Sequence, residues 1–417
     1  MKILVLGGNS ASDFISKKLL EDSRVEKVWH FGANGDNITT SRYKPFPVNK
    51  DFILNFVQNV NRKIDLVIPT ALVFQLWKDL DKIIRERNVP ILMPSYSLGN
   101  LEWSKYAGKK LLTDLGIPTP NAIKISKSEL IEDFFKFQRP YVIKYEQDSR
   151  FGLQTIIIDD SNIDLEFATI NNAEESPMRK NFKKLDQEPT FIIEDYVYGI
   201  REYSYHAICN EKNWRYLGTA RDYKKRYEND IGHNTISMGS YSPVEDVDAR
   251  VSSYISKILE YLKSKGTPFV GILYLGIMID SNGTPQVLEI NTRPGSPEIE
   301  TIIPTIETNL LDIFLSTSLN EEIPEIKFND NNVVSLRIVN KEYNEKIAAT
   351  EESFSLPDLG PTPENIIISK GAQKKIWHSV ITVIDKDIDM AASKIYKFLE
   401  NKSMGDFTFR TDIGYLK

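Results

Sequence analysis

The sequence predicts a multidomain chain of α/β and α+β character, and three observations lead there. From residue 1 to about 95, short apolar runs alternate with helical periodicity, the pattern of a doubly wound parallel sheet. From 206 to 300, strand-like runs dominate and close in a hairpin with an Asn-Gly turn. From 330 onward, two strand-like runs and one helical segment make a small α+β end. A chain of 417 residues holds roughly two to four domains of common size. The predicted units are 1–97, 98–325 and 326–417.

In the first unit, residues 3–6 are apolar and stop at Gly7-Gly8, so they read as a strand feeding a glycine-rich turn. A helix follows over 14–20 and a strand over 25–31. Then come a helix at 52–60, a strand at 64–69, a helix at 76–87 and a strand at 90–93. Ligands bind such sheets beyond the C-terminal strand ends, where the glycine turn sits. Helical periodicity over 98–115 halts at Pro118 and Pro120, which mark a linker. Strands and helices continue from about 121 to 205, with one strand at 191–197. A helix is predicted over 247–264 and another over 306–319. The last unit has strands at 333–339 and 376–383 and a helix at 387–400.

The hairpin joins 271–280 to 287–291 through Ser281-Asn282-Gly283-Thr284. Its second strand ends in Glu289 and Asn291, which period-two geometry puts on one face. A carboxylate beside an amide oxygen suits a hard cation such as Mg²⁺ that also takes phosphate oxygens from a substrate. Arg293 falls one step further along that face and could grip a phosphate or carboxylate in a bidentate fork. Taken alone, the triplet fits a surface strand with polar ends equally well.

Composition narrows the classes. A net charge of −6 argues against a non-specific nucleic-acid binder. One cysteine forbids an internal disulfide, and with only four histidines a zinc-ribbon site is excluded. The apolar N-terminal run is too short for a signal peptide, and no run approaches the roughly 20 apolar residues of a membrane span. A cytoplasmic protein with no membrane partner is expected, as a monomer or dimer.

The hairpin end resembles the metal-binding end of the ATP-grasp superfamily, and further segments agree in order. Leu101-Glu102-Trp103-Ser104-Lys105 is similar to the "LEGSK" of glycinamide ribonucleotide synthetases. Gly116-Ile117-Pro118-Thr119 matches "GIPT", and Tyr141-Val142-Ile143-Lys144 resembles "PIVVK". Asp222-Tyr223-Lys224-Lys225 stands where that family has "DHKR". The segment 232–243 is close to "GPNTGGMGAYSP", Asn291 to Glu298 to "NCRFGDPE", and Arg410 to Tyr415 to "RRDIGW". The resemblance implies an ATP-grasp fold behind an N-terminal Rossmann-like unit, with a mobile lid at about 121–205.

It also implies roles. Glu289 and Asn291 would hold Mg²⁺ or Mn²⁺. Lys105 and Lys144 would contact the phosphates of ATP, and Arg150 would supply charge in a loop covering them. The backbone of Glu194, Asp195 and Val197 would read the adenine edge, and Glu202 would hold the ribose hydroxyls. Arg293, Asp222, Lys224 and Asn234 would form the reacting centre, with Lys225 on the nucleotide side. The implied activity is an ADP-forming carboxylate–amine ligase of purine biosynthesis, joining glycine or a similar carboxylate to phosphoribosylamine.

The departures cluster on the acceptor side. The family's "GNGGREHAL" reads Gly7-Gly8-Asn9-Ser10-Ala11-Ser12-Asp13-Phe14-Ile15 here. "GPEAPL" has become 69–74 without its glutamate, and "RFGDPE" has become Arg293-Pro294-Gly295-Ser296-Pro297-Glu298 without its aspartate. Another amine, such as a modified nucleotide, a nucleic-acid base or an amino-sugar, is therefore the alternative, and a nucleotide binder without turnover is a third.

Overall fold

The computed structural model describes residues 1–32, 40–46, 50–59, 63–71, 74–146, 155–171, 190–245, 248–343, 357, 359–371 and 377–415. The N-terminal part alternates as expected: β1 (Lys2–Leu6), α1 (Ser10–Glu21), β2 (Lys27–Phe31), β3 (Tyr43–Phe46), α2 (Lys50–Gln58), β4 (Leu66–Pro69) and α3 (Phe74–Glu86). Its strands pair in parallel in the order β3-β2-β1-β4. β1 is buried on both faces, which explains its unbroken apolar run. The strand expected at 90–93 is reduced to one bridge between Ile91 and Val67. Pro90, which has no N–H to give, leaves too little chain for a ladder.

The helix expected over 98–115 is two helices, α4 (Tyr96–Trp103) and α5 (Lys105–Asp114), broken at Ser104. Ser104 has extended backbone and accepts the Ala107 amide, so it caps α5. Next come β5 (Ala122–Ser126), α6 (Lys127–Asp133), β6 (Tyr141–Tyr145), β7 (Thr155–Ile158), α7 (Ile163–Asn171) and β8 (Thr190–Asp195). They form an antiparallel sheet ordered β5-β8-β6-β7. Its apolar side packs Leu130, Phe134, Ile143 and Ile193.

The long sheet begins with β9 (Gly199–Cys209) and β10 (Trp214–Asp222). A small hairpin of β11 (Lys225–Tyr227) and β12 (Ile231–Asn234) stands off it. Then follow β13 (Gly239–Ser242), α8 (Arg250–Ser264), β14 (Gly271–Asp280) and β15 (Pro285–Asn291). After them come α9 (Glu298–Ile302) and α10 (Leu310–Ser318). The helix expected over 306–319 begins only at Leu310. Residues before it bridge Phe328 through Ile306, and Asn309 caps the helix by accepting from Asp312.

The C-terminal part contributes β16 (Asn332–Asn340), β17 (Ile366–Lys370), β18 (Trp377–Asp385), α11 (Ile388–Leu399) and β19 (Phe407–Thr408). β16 pairs with β13, so these strands continue the sheet, which runs β15-β14-β9-β10-β13-β16-β18-β17. The expected boundary near 325 thus lies in a connection, while the sheet runs across it. Among the described residues no helix is long and apolar enough to cross a membrane.

Candidate active site

A cleft opens between the β5-β8-β6-β7 sheet and the β14–β15 end of the long sheet, with α4 and α5 along it. Glu289, Asn291, Arg293, Lys105, Lys144, Glu194, Asp222, Lys224 and Asn234 all line it. Residues nearly 190 positions apart in sequence thus meet in one place.

The floor is the hairpin. Glu289 lies opposite Gly276 and Asn291 opposite Tyr274. A Cβ on residue 276 would sit 3.1 Å from the Glu289 Cγ, so glycine leaves room for the carboxylate to lie across β14. The Tyr274 hydroxyl donates to Glu289 Oε1 at 3.3 Å. Lys224 Nζ is 3.8 Å from that oxygen and 3.0 Å from Glu202 Oε1. Burial by itself would raise the Glu289 pKa, but Lys224, Lys144 and Lys105 overcome it and hold it at about 2. Glu289 is therefore ionised at neutral pH, as a metal ligand must be, and its side chain keeps 32% exposure toward the cleft. Asn291 adds a neutral amide beside it. Two protein donors are too few for a closed cage and suit a cation that also takes substrate oxygens.

One wall is a lysine cluster. Lys105 starts α5, and Lys109 follows one turn later on the same face. Lys144 Nζ is 2.8 Å and Lys109 Nζ 3.4 Å from Glu194 Oε2. Lys144 also donates to the Leu288 carbonyl at 3.3 Å, and Lys109 to Thr119 Oγ1 at 3.0 Å. Burial, then repulsion from Lys144, pushes the Lys109 pKa down to about 7 against the pull of Glu194. Burial also lowers Lys105, opposed first by Glu289. Three crowded ammonium groups make a place that a polyanion stabilises. The Glu194 side chain meets these lysines. β8 is flanked on both sides and its ladder ends at Asp195, so Val197 lies past the end of the strand. The strand expected over 191–197 is shorter by those residues. The Asp195 carboxylate accepts from Asn121 at 2.7 Å.

Arg293, Asp222 and Glu298 line the same cleft. β15 ends at Asn291, so the strand period does not place Arg293. Glu102 does: Arg293 Nε donates to Glu102 Oε1 at 2.8 Å, and the Thr292 amide donates to Oε2 at 2.9 Å. Burial opposes the Arg293 charge, yet Glu102 and further acids raise its pKa. Asp222 and Glu298 are two carboxyl groups in one cleft. Burial raises the pKa of each, and mutual repulsion adds to this for Asp222. The positive charge of Lys224 opposes that rise in both.

Glu202 reaches the cleft through Lys224. Lys225 pairs with Asn234 across β11 and β12, burial lowers its pKa, and its carbonyl accepts Arg410 at 2.8 Å. Arg150 lies outside the described residues. Sequence reasoning missed Lys109, Glu102, Tyr274 and Glu298. The i, i+4 spacing from Lys105 could have found Lys109, and the quoted motifs contain Glu102 and Glu298.

The segments that depart from the family pattern have structural partners. Asn9 caps α1, accepting the Ser12 amide at 3.2 Å and the Thr70 hydroxyl at 3.0 Å. Asp13 is buried, accepts the Lys370 amide at 3.0 Å and pairs with Lys17 at 2.8 Å. The Ser10 hydroxyl donates to Glu300 Oε1 at 2.6 Å, and Ser296 Oγ lies 3.3 Å from the same oxygen.

A lid-like antiparallel sheet facing a hairpin with a terminal Glu and Asn, across a lysine-rich cleft, is the ATP-grasp arrangement. Residues 103–299 match the family described as phosphoribosylglycinamide synthetase, ATP-grasp (A) domain, and this stretch belongs to it. The likeness extends beyond that stretch. The chain is 27% identical over 440 residues to phosphoribosylamine–glycine ligase of Streptococcus pneumoniae, covering 99% of each. It is 28% identical over 440 residues to the enzyme of that name from Caldanaerobacter subterraneus subsp. tengcongensis, again covering 99% of each. Among solved structures, phosphoribosylamine–glycine ligase of Thermotoga maritima superposes with a TM-score of 0.77 at 22% identity, over 99% of this chain and 100% of that one.

Proposed function

We propose that this chain is an ATP-dependent, ADP-forming carboxylate–amine ligase, with glycine as the carboxylate and phosphoribosylamine as the amine. The observation that carries the reading is the meeting of Glu289, Asn291 and three lysines in one cleft. The whole-length similarity to enzymes named phosphoribosylamine–glycine ligase supports the choice of substrates. Lys105, Lys144 and Lys109 would offset charge on the triphosphate. Glu289 and Asn291 are the residues that would hold a divalent cation, Mg²⁺ or Mn²⁺, which offsets phosphate charge during transfer.

Arg293, fixed by Glu102, would hold the carboxylate of glycine, and Asp222 and Glu298 would hold its ammonium. The carboxylate oxygen attacks the γ-phosphorus, ADP leaves, and the acyl phosphate takes the amine and releases phosphate. The protein's part is positioning, charge stabilisation and exclusion of water. We further assign Arg150, the backbone of Glu194, Asp195 and Val197, and Glu202 with Lys225 to the nucleotide side, and Lys224 and Asn234 to the reacting centre. We also propose three units, 1–97, 98–325 and 326–417, the last two sharing the long sheet.

A second reading keeps the chemistry and changes the amine. Its motive is Asp13: the carboxylate that replaces the family's Arg-Glu-His stretch is engaged with β17. The test is ADP release by purified protein with ATP, Mg²⁺ and glycine, with and without phosphoribosylamine. Release that needs both glycine and phosphoribosylamine supports the first reading. Release only with another amine supports the second, and no release with any amine overturns both.

A further inference from the structure

His206 lies on β9, is fully buried and belongs to none of the roles above. Its ring stacks on Tyr274 with centroids 4.7 Å apart and planes at 20°. Its Nε2 accepts the Gly295 amide at 3.3 Å. Its Nδ1 meets no partner among the described residues. Accepting at Nε2 requires the neutral ring with its proton on Nδ1. Burial first, then the Arg293 charge, takes the pKa to about 3, so the ring stays neutral and is no proton carrier near neutral pH.

The two contacts lead to two different groups that line the cleft. Tyr274 donates to Glu289, the carboxylate assigned to the cation. Gly295 lies two residues after Arg293, in the turn that Glu102 grips from the other end. One flat, buried, uncharged ring thus touches the support of both groups. Phenylalanine would stack on Tyr274 but leave the Gly295 amide without an acceptor. Glutamine would offer an acceptor but lose the ring.

We propose that His206 is a positioning residue: it sets the turn bearing Arg293 through the Gly295 amide and steadies Glu289 through Tyr274. The proposal rests on the ligase reading above, and its test includes a readout independent of turnover. His206→Phe, His206→Gln, His206→Leu and Tyr274→Phe are compared with the unaltered protein in two assays. One is titration of Mn²⁺ into protein with ADP, which needs no acceptor. The other is steady-state ADP release, resolving kcat and the KM for glycine.

His206→Phe should keep the Mn²⁺ affinity and lose about tenfold in kcat/KM for glycine, the effect of one unsatisfied buried amide. His206→Gln should restore most of that loss. His206→Leu, lacking ring and acceptor, should weaken Mn²⁺ binding as well. Tyr274→Phe should weaken Mn²⁺ binding, with the KM for glycine less affected. His206→Phe matching the unaltered protein in both assays would overturn the proposal. So would losses in all the His206 variants that simply follow their melting temperatures. If the unaltered protein releases no ADP with any amine, the ligase reading fails. The Mn²⁺ titrations then still decide the Tyr274 arm.

Discussion

At the scale of single residues, charge decides what the cleft can hold. Glu289 is ionised because three lysines outweigh its burial. Glu289→Gln keeps the shape and removes the charge, and Asn291→Ala removes the amide. Each should cost at least about a hundredfold in metal-dependent turnover, with little change in melting temperature. Turnover near that of the unaltered protein in both would dismiss the metal assignment.

Lys109 gives a second test. With a pKa of about 7 it is largely neutral at about pH 8, and a polyanion beside it must raise that value, so nucleotide binding takes up a proton there. At about pH 6 the proton is already present and uptake vanishes. Calorimetric heats of ADP binding should therefore depend on the buffer's ionisation enthalpy at the higher pH only. Lys109→Met should erase the difference. Sequence spacing made Glu289 and Asn291 legible because both sit on one strand. It could not show Glu102 beneath Arg293, or His206 behind Tyr274, because those pairings cross from one element to another.

At the scale of elements, the sequence was most readable where period and turn chemistry agree. The hairpin is the clearest case: Gly283 has φ of 74°, and Asp280 accepts the Asn282 and Thr284 amides. Strand type was readable at β1 and β15, whereas β3 and β19 are too short to announce themselves, and the apolar run of β17 was passed over. The break between α4 and α5 went unseen because apolar periodicity continues across it.

That break has work to do in the cleft. Ser104 turns the chain so that Glu102 reaches Arg293 from α4 while Lys105 and Lys109 face the cleft from α5. Its hydroxyl accepts the Ala107 amide at 3.1 Å and donates to Glu146. Ser104→Ala loses a cap, which costs about 1 kcal/mol. Chemical denaturation should show that loss, accompanied by weaker nucleotide binding. An unchanged midpoint would mean the helix break stands without its cap.

At the scale of the whole molecule, residues that depart from the family pattern lie along a seam between the first and last parts of the chain. Asp13 and Lys17 on α1 reach the Lys370 amide and the Ile368 carbonyl of β17, the latter at 2.6 Å. Ser10 reaches Glu300 on α9, and Arg337 on β16 donates to the Ser296 carbonyl at 2.9 Å. The family's aspartate is missing at 296, yet Glu300 returns a carboxylate to the same spot, 3.3 Å from the Ser296 hydroxyl. No periodicity in either stretch could disclose this, since Ser10 and Glu300 are 290 residues apart.

Glu300 is fully buried, and burial lifts its pKa from 4.5 to about 7 despite the Ser10 hydrogen bond. A carboxyl whose folded pKa is raised binds its proton more tightly when folded. Its contribution is therefore full below the unfolded value and is lost as pH rises through about 7. Glu300→Gln removes this dependence while keeping an oxygen for Ser10. Thermal denaturation of the two proteins should converge near pH 4.5 and separate as pH climbs. By about pH 8 the variant should be more stable by on the order of 1–3 kcal/mol. Parallel curves at every pH would mean that Glu300 is solvated or charge-paired in the folded protein, and that its protonation does not contribute to the seam.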